Sequence, residues 1–364
     1  MFDTPVMHHD WFTHLETSGS ITPETGWHPH HCLAFDNGTM RAAVPAYLHT
    51  ESWGEFVFDF ALAEAVETVG KRYYPKLVGM SPATPISAYS FLTGTIDAQT
   101  RHDTYVSTLK SLQQHCRDES IPVLQFNYIV PELVPLFEEA GMTAWVHHGY
   151  RWNNAGYTSF DDFRDRFNKN QRRNIRRERN RLREHGLSTA IIPGHEAPHR
   201  LFHTMAELYH RTNDRFGPWA ARFLTTAFFT DMPASLRKRV LFAAAEKGRR
   251  GTGEPLALSM LLHGTDHLMG RYWGTFHDVK DLHFELCYYT PVEWAIQNGI
   301  ESFDPGMGGD HKARRGFTSV KTYSLHWFAD EAIQELFASQ VRLVNRQEEM
   351  RIDALNAAVP WRNG

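Results

Sequence analysis

The feature that narrows the fold most is a pair of apolar runs joined by a tight turn. Residues 256–262 (LALSMLL) are apolar almost without break, Gly264 to Asp266 supply turn chemistry, and His267 to Trp273 return as a partner strand. The chain then changes period. Leu282, Leu286, Tyr289, Val292 and Ile296 recur at helical spacing over 282–298, and Gly299 is placed to stop that helix. Ser302 and Phe303 predict a short strand running into Asp304-Pro305-Gly306. A glycine-rich loop follows, carrying Asp310, His311, Lys312, Arg314 and Arg315. Hairpin, helix, short strand and charged loop within so few residues is the densest concentration of turn, aromatic and ionisable groups in the chain.

The first half alternates strands and helices. Cys32 to Phe35 and Met40 to Leu48 flank Asp36-Asn37-Gly38, a turn that suits a two-stranded hairpin. Ala61 to Val69 predicts a helix, Tyr73-Tyr74-Pro75-Lys76 an exposed aromatic-basic stretch, and Tyr89 to Leu92 a strand. Thr104 to Cys116 and Pro131 to Ala140 predict helices around the strands 123–126 and 145–150. Such alternation gives an α/β layer whose sheet is covered on at least one face. With 364 residues the chain is long enough for two domains of about 150 residues each. The turn Asn154-Ala155-Gly156 sets the expected division: a first domain over 1–155, a second over 156–328 with the site, and a helical arm over 329–364, read as a packing or homodimer element.

The second half opens with the segment 159–186, expected as one long helix. Ser159 and Asp162 have capping-box spacing and Gly186 suits the end. Between them arginines far outnumber Asp165, Glu178 and Glu184, while Phe163, Phe167, Ile175 and Leu182 leave only a narrow apolar seam. A net charge of -4 gives the whole chain no pull toward polyanions, so this basic excess is local. Two readings stand: a solvated face whose last arginines suit the helix dipole, or a phosphate-binding surface on Arg172, Arg173, Arg176 and Arg177. Farther on, 199–216 is expected to bury Leu201, Met205, Leu208, Tyr209 and Phe216 on one side. A second helix is expected over 219–229, a strand over 240–245 and a turn over 248–254.

Several chemistries find no motif. Cys32, Cys116 and Cys287 are odd in number and far apart, which fits a reducing compartment, and neither HExxH nor CxxC occurs, so no metal is expected. There is no GxGxxG after a strand, no GxxxxGK[ST] and no GxSxG, and hence no expected tightly bound cofactor. No secretory segment and no apolar run of 18 residues appears, so a cytoplasmic protein without integral membrane association is expected.

Blocks spread over nearly the full length carry a resemblance: GWHPHH (26–31), GEFVFDFA (54–61), YYPKL (73–77), QRRNIRRER (171–179), GRYWGT (270–275), LHFELCYY (282–289) and GDHKARRGF (309–317). Together they resemble the Fem-like family of peptidoglycan biosynthesis/recognition proteins, placed among GNAT-type N-acyltransferases. A short leading segment common there is expected to be missing. The resemblance implies two GNAT-like α/β domains with mixed central sheets flanked by helices. It also implies transfer of an acyl or aminoacyl group to an amine, with cell-wall precursors as acceptors and aminoacyl-tRNA or acyl-CoA as the activated donor. The absence of an RxxGxG/A segment after Gly270-Arg271-Tyr272 favours aminoacyl-tRNA, and so tRNA as a partner. By the same resemblance Lys312 is expected to stabilise charge at the reacting carbonyl. A non-catalytic protein binding a cell-wall or polyanionic ligand is the reading from a different class.

Acyl transfer to an amine needs a base for the attacking nitrogen and a positive group for the oxyanion. Glu285, His311 and Asp310 are the candidate proton carriers and Lys312 the electrostatic group. Arg271, Tyr272, Trp273, His283, Tyr288 and Arg315 are the candidate substrate-binding residues. Each has a plainer alternative: Glu285 as the partner of Arg271, His283 as a structural histidine, Trp273 and Tyr272 as core, Arg315 as a solvated charge. Cys287, with no activating partner at suitable spacing, reads as a small buried side chain.

Overall fold

A computed structural model describes residues 4–51, 55–217, 222–248 and 255–362. Gly54 of the 54–61 block, the start of the helix expected over 219–229 and most of the turn expected over 248–254 lie outside the described residues. The strands are β1 (Trp27–Pro29), β2 (Cys32–Asp36), β3 (Thr39–Val44), β4 (Ala46–His49), β5 (Lys76–Gly79), β6 (Leu92–Thr93) and β7 (Val123–Asn127). They continue with β8 (Thr143–Asn153), β9 (Leu187–Pro193), β10 (Val240–Lys247), β11 (Pro255–His263), β12 (His267–Thr275), β13 (Ser302–Asp304) and β14 (Thr318–Phe328). The helices are α1 (His9–Thr17), α2 (Phe60–Thr68), α3 (Ala98–Asp118), α4 (Val134–Glu139), α5 (Phe160–Asp165) and α6 (Lys169–Glu184). After them come α7 (His199–Asp214), α8 (Thr226–Thr230), α9 (Ala234–Arg237), α10 (Leu282–Phe284), α11 (Thr290–Gln297) and α12 (Glu331–Ala357).

The chain packs as two units, each built from separated stretches. The first comprises Met1–Gly19, Gly149–Val320 and Asp353–Gly364; the second comprises Ser20–His148 and Lys321–Ile352. A contiguous division at 155 and 328 does not coincide with these units. The Asn154 turn is real, its side chain accepting the N–H groups of Gly156 and Tyr157, but the strand leading to it belongs to both units. Most of β14 and of α12 returns to pack with the first half of the chain.

In the second unit the strands run β1-β4-β5-β7-β14-β8, with β5 and β7 parallel and the other assigned pairs antiparallel. A small sheet, β2-β3-β6, carries the expected Asn37-Gly38 turn. Helices α2 and α12 cover one side of the main sheet through Ala63, Val66, Ile333, Phe337 and Val341, packed on Tyr73, Val123 and Phe328. Here the chain departs from expectation: Tyr73 and Lys76, read as exposed, are fully buried, because carboxylates from the preceding block meet the lysine.

In the first unit the order is β8-β13-β12-β11-β10-β9, and the only parallel pair assigned there among the described residues is β12 with β13. The hairpin β11–β12 forms as its apolar pattern requires. Helix α7 crosses β12 at Gly274, where an added Cβ would lie 2.6 Å from Leu208 Cβ. Four residues expected on its inner side are buried, but Phe216 is 60 % exposed because the helix ends at Asp214. The segment expected as one helix over 159–186 is two. Ser159 caps α5 and Asn168 caps α6 by accepting the Gln171 N–H, while Phe167 between them bridges to Trp361. Asp162 reaches the Thr158 N–H instead of completing the box at Ser159.

The candidate active site

The parallel pair β12–β13 is short: Met269 faces Asp304, after which β12 continues while the other chain turns away at Pro305. The backbones still touch there. A Cβ on Gly270 would stand 3.3 Å from Pro305, and Gly306 adopts φ +79. Asp304 fixes the turn by accepting the Gly306 N–H at 2.9 Å. Burial raises its carboxyl above the usual carboxylate value, against that hydrogen bond and the cations Arg151, Lys312 and Arg271. The end of this short strand pair, with the turn that follows it, positions the site.

The loop expected after Asp304 winds into a 3-10 helix over Asp310–Arg315 and ends at Gly316. That glycine has φ +82, and a Cβ on it would be 2.8 Å from the Phe163 ring. The turn aims Lys312 inward. Its ammonium, on a side chain 3 % exposed, donates to the carbonyls of Gly306 at 2.7 Å and Met307 at 2.9 Å and lies 5.6 Å from the Tyr150 ring centre. Burial pulls its pKa down to about 8, with Asp304 and Cys287 opposing. Tyr150 donates to Asp310 at 3.0 Å, so β8 anchors the start of the turn.

Facing the turn, α10 and α11 are joined by a π-helical turn, Glu285–Tyr289. Such turns admit an extra residue and re-aim side chains, often at functional sites. Tyr288 meets His311 Nε2 at 2.9 Å. His283 packs edge-on against Trp273 (4.8 Å) and near His311 (5.8 Å). Burial, then the charges of His311, Lys312 and Arg315, push His283 down to about 3, and burial also lowers His311. Both imidazoles are thus neutral near pH 7. Cys287, whose thiol burial raises to about 12, points at Ser259 Oγ 3.7 Å away.

Other expected site residues face elsewhere. Glu285 accepts from Arg179 at 3.1 and 3.2 Å and from Thr290 at 3.0 Å; Arg179, not Arg271, is its cation, and it also donates to Glu293 at 2.6 Å. Arg315 is neither solvated nor open: its guanidinium lies 3.3 Å over the Phe284 ring and donates to both oxygens of Glu178 at 3.0 Å. Tyr289 donates to the same carboxylate. Arg271 donates to Tyr272 OH at 3.0 Å, and the Tyr272 ring packs on Tyr209 of α7, away from Trp273. Hence Lys312, His311, Tyr288, His283 and Trp273 come together with Asp310 at the rim, whereas Glu285 joins α6 to α11. Sequence reasoning passed over Tyr150, Glu178 and Arg179 as site neighbours; an acid flanked by arginines in the middle of a basic helix was the available signal for Glu178.

The outer face of α6 forms the other surface. Arg173, Arg176 and Arg177, with Asn180, Arg181 and Glu184, line an open cavity of about 510 Å³. Arg172 is not with them, since it donates to the carbonyls of Phe167 and Asp165. Arg181 pairs with Asp281. Among the described residues no three His, Cys, Asp or Glu side chains converge as metal ligands, and no helix is long and apolar enough to cross a membrane.

The fold is similar to that of FemX (TM-score 0.53, 10% identity, covering 91% of this chain and 99% of that one). It is similar also to the C-terminal domain of a putative lysylphosphatidylglycerol synthetase from Agrobacterium fabrum (TM-score 0.53, 12% identity, 91% and 96% covered). L-PGS from Bacillus licheniformis is a third (TM-score 0.51, 12% identity, 95% and 98% covered). Among curated proteins no sequence match is found. A family model for FemAB-like proteins of peptidoglycan biosynthesis/recognition matches residues 2–363. With nearly every residue inside that match, the chain belongs to the FemAB-like family.

Proposed function

We propose that this protein is a cell-wall-related N-acyltransferase that moves an aminoacyl or acyl group from an activated ester or thioester to an amine. The observation that carries the reading is Lys312: a buried ammonium that donates to main-chain carbonyls, not to a carboxylate, at the end of the β12–β13 pair and beside neutral imidazoles. In the reaction the amine nitrogen bonds to the donor carbonyl carbon and the C=O pair moves to oxygen. Lys312 meets that oxyanion, the contribution that is usually largest in acyl transfer. Collapse re-forms the carbonyl and breaks the bond to the donor oxygen or sulfur. In this scheme His311, neutral and hydrogen-bonded to Tyr288, takes the proton lost by the amine and returns it to the leaving group. Asp310 orients that turn through Tyr150. His283, Trp273 and Tyr288 form the substrate wall, and Glu285 and Arg315 support the wall through α6. Metal and redox chemistry have no part in this scheme.

Aminoacyl-tRNA is the favoured donor over acyl-CoA because Arg173, Arg176 and Arg177 offer a row of cations on a solvent-facing helix, suited to several phosphates in a strand. The experiment offers purified protein radiolabelled aminoacyl-tRNAs and acyl-CoAs with small amines and cell-wall precursors as acceptors, and follows loss of donor label. Consumption of aminoacyl-tRNA that disappears in Lys312→Ala and persists in Cys287→Ala is expected. Turnover of acyl-CoAs alone reverses the donor assignment; failure of every donor, with polyanion binding intact, leaves a binding protein.

A further inference from the structure

Helix α12 is accounted for on one side only. Toward the sheet of the second unit it buries Ile333, Phe337 and Val341. Asn345 on that side donates to the Ala144 carbonyl and accepts the Val146 N–H, and Glu348 bonds His148. The side turned from the sheet carries Ala332, Leu336, Ser339, Leu343, Gln347 and Met350, all exposed and spaced three or four apart, which makes one line along a helix. Leu336 and Leu343 are each 54 % exposed and Met350 63 %. Isolated apolar side chains on a surface need no explanation, but three in line at seven-residue steps have the repeat of a helix–helix seam.

Charges beside the seam say which helix fits it. Glu335, Arg342 and Arg346 run along one flank, exposed and in no ion pair among the described residues. The other flank at the same level holds Gln340 and Val344, which carry no charge. When two identical helices pair antiparallel about a two-fold axis, the same flank of each lies on the same side of the contact. With that axis between Ser339 and Gln340, Leu336 meets Leu343 of the second copy. Glu335 then falls between Arg342 and Arg346 of the second copy, about 3 Å along the helix from each at about 1.5 Å per residue. The two-fold repeats each of these contacts, so the stripe is complementary to itself.

Other pairings lose the charge match. An axis at Leu343 keeps apolar contacts, with Leu336 on Met350 of the second copy, but sets Glu335 beside Asp353 and Arg342 beside Arg346. Like charges facing each other oppose pairing. A parallel pair sets Glu335 against Gln340 and Arg342 against Gln347, which leaves those charges unused. In such a seam the leucines supply the affinity and the flanking charges choose partner and direction.

We infer that the outer face of α12 docks a second copy of this chain, the two helices antiparallel about an axis between Ser339 and Gln340. This interface is independent of the acyl-transfer reading, and Lys312→Ala is expected to associate like the unaltered protein. The test is sedimentation velocity of the full-length protein over a range of concentrations, where monomer and dimer in exchange are expected. Leu336→Glu, and independently Leu343→Glu, are expected to weaken association at least about tenfold without changing the melt. Glu335→Arg alone is expected to be monomeric, as is Arg342→Glu combined with Arg346→Glu. An equimolar mixture of these two variants is expected to dimerise, since each then offers the other opposite charges. Ser339→Cys is expected to form a disulfide-linked dimer on oxidation and Met350→Cys is not. A monomer at every concentration overturns the inference. So does a dimer indifferent to both leucine variants, failure of the mixed charge variants to pair, or cross-linking through Met350→Cys in place of Ser339→Cys.

Discussion

At the scale of single residues, Lys312 decides most. Its ammonium has been taken out of water for carbonyl partners, so it is easier to deprotonate than a free lysine, at about 8 against 10.5. The unfolded chain therefore binds more protons between those values, and stability rises with pH across that window. The full effect is about 3 kcal/mol. Lys312→Met is expected to flatten this rise in thermal melts from pH 7.5 to 10.5, while turnover falls about 10²–10³-fold, the usual loss for an oxyanion donor. In the unaltered protein the chemical step should weaken as pH climbs through about 8 and the ammonium is lost. Retained turnover in Lys312→Met, or an unchanged melt profile, removes the role assigned to this residue. Sequence placed Lys312 in a glycine-rich turn but could not place its neighbours: Tyr150 lies 160 positions before its partner Asp310. Glu285 shows the limit from the other side. Its spacing from Tyr288 and Tyr289 was legible, but its cation arrives from α6, 106 positions earlier, and no local pattern encodes that pairing.

At the scale of elements, α6 has two faces with different duties. Inward, Gln171 donates to the Arg314 carbonyl at 2.6 Å, Glu178 holds Arg315 and Arg179 holds Glu285, so the helix supports both walls of the site. Outward, Arg173, Arg176 and Arg177 face solvent with little else to hold them. The basic composition was plain in the sequence; its division between the faces was not, because Arg172, Arg179 and Arg181 follow partners from other elements. The break at Asn168 was legible as a capping residue but was hidden by the charge run. The π-helical turn had no signal at all, since its residues keep helical spacing and only packing sets the extra residue. Arg173→Gln, Arg176→Gln and Arg177→Gln together are expected to shift the melting stability by no more than about 0.5 kcal/mol, as surface changes do. Binding of a fluorescent tRNA should weaken, with the slope of log affinity against log salt shrinking by roughly 0.7–0.9 for each phosphate no longer neutralised. An unchanged slope means that the outer face is merely solvated.

At the scale of the whole molecule, the α/β class could be read because strand and helix periods alternate so regularly, but the partition of the chain could not. A turn such as Asn154-Ala155-Gly156 looks like a boundary, and nothing local reveals that β14 inserts between β7 and β8 in the second unit. Remove it and β7 loses the ladder from Val123↔Phe328 to Asn127↔Ser324. Ile333, Phe337 and Val341 leave the same core with it. Fragment 1–155 is therefore expected to lack a cooperative thermal transition by circular dichroism. Joining 20–148 to 321–352 through a short glycine-serine linker restores the missing strand and the helix behind it, and this linked protein should melt cooperatively. His147 and Ser324, 2.8 Å apart, show that the two ends to be joined lie near each other within the unit. A cooperative melt from 1–155 alone, matching that of the linked protein, would mean that the returning strand decorates the unit instead of completing it.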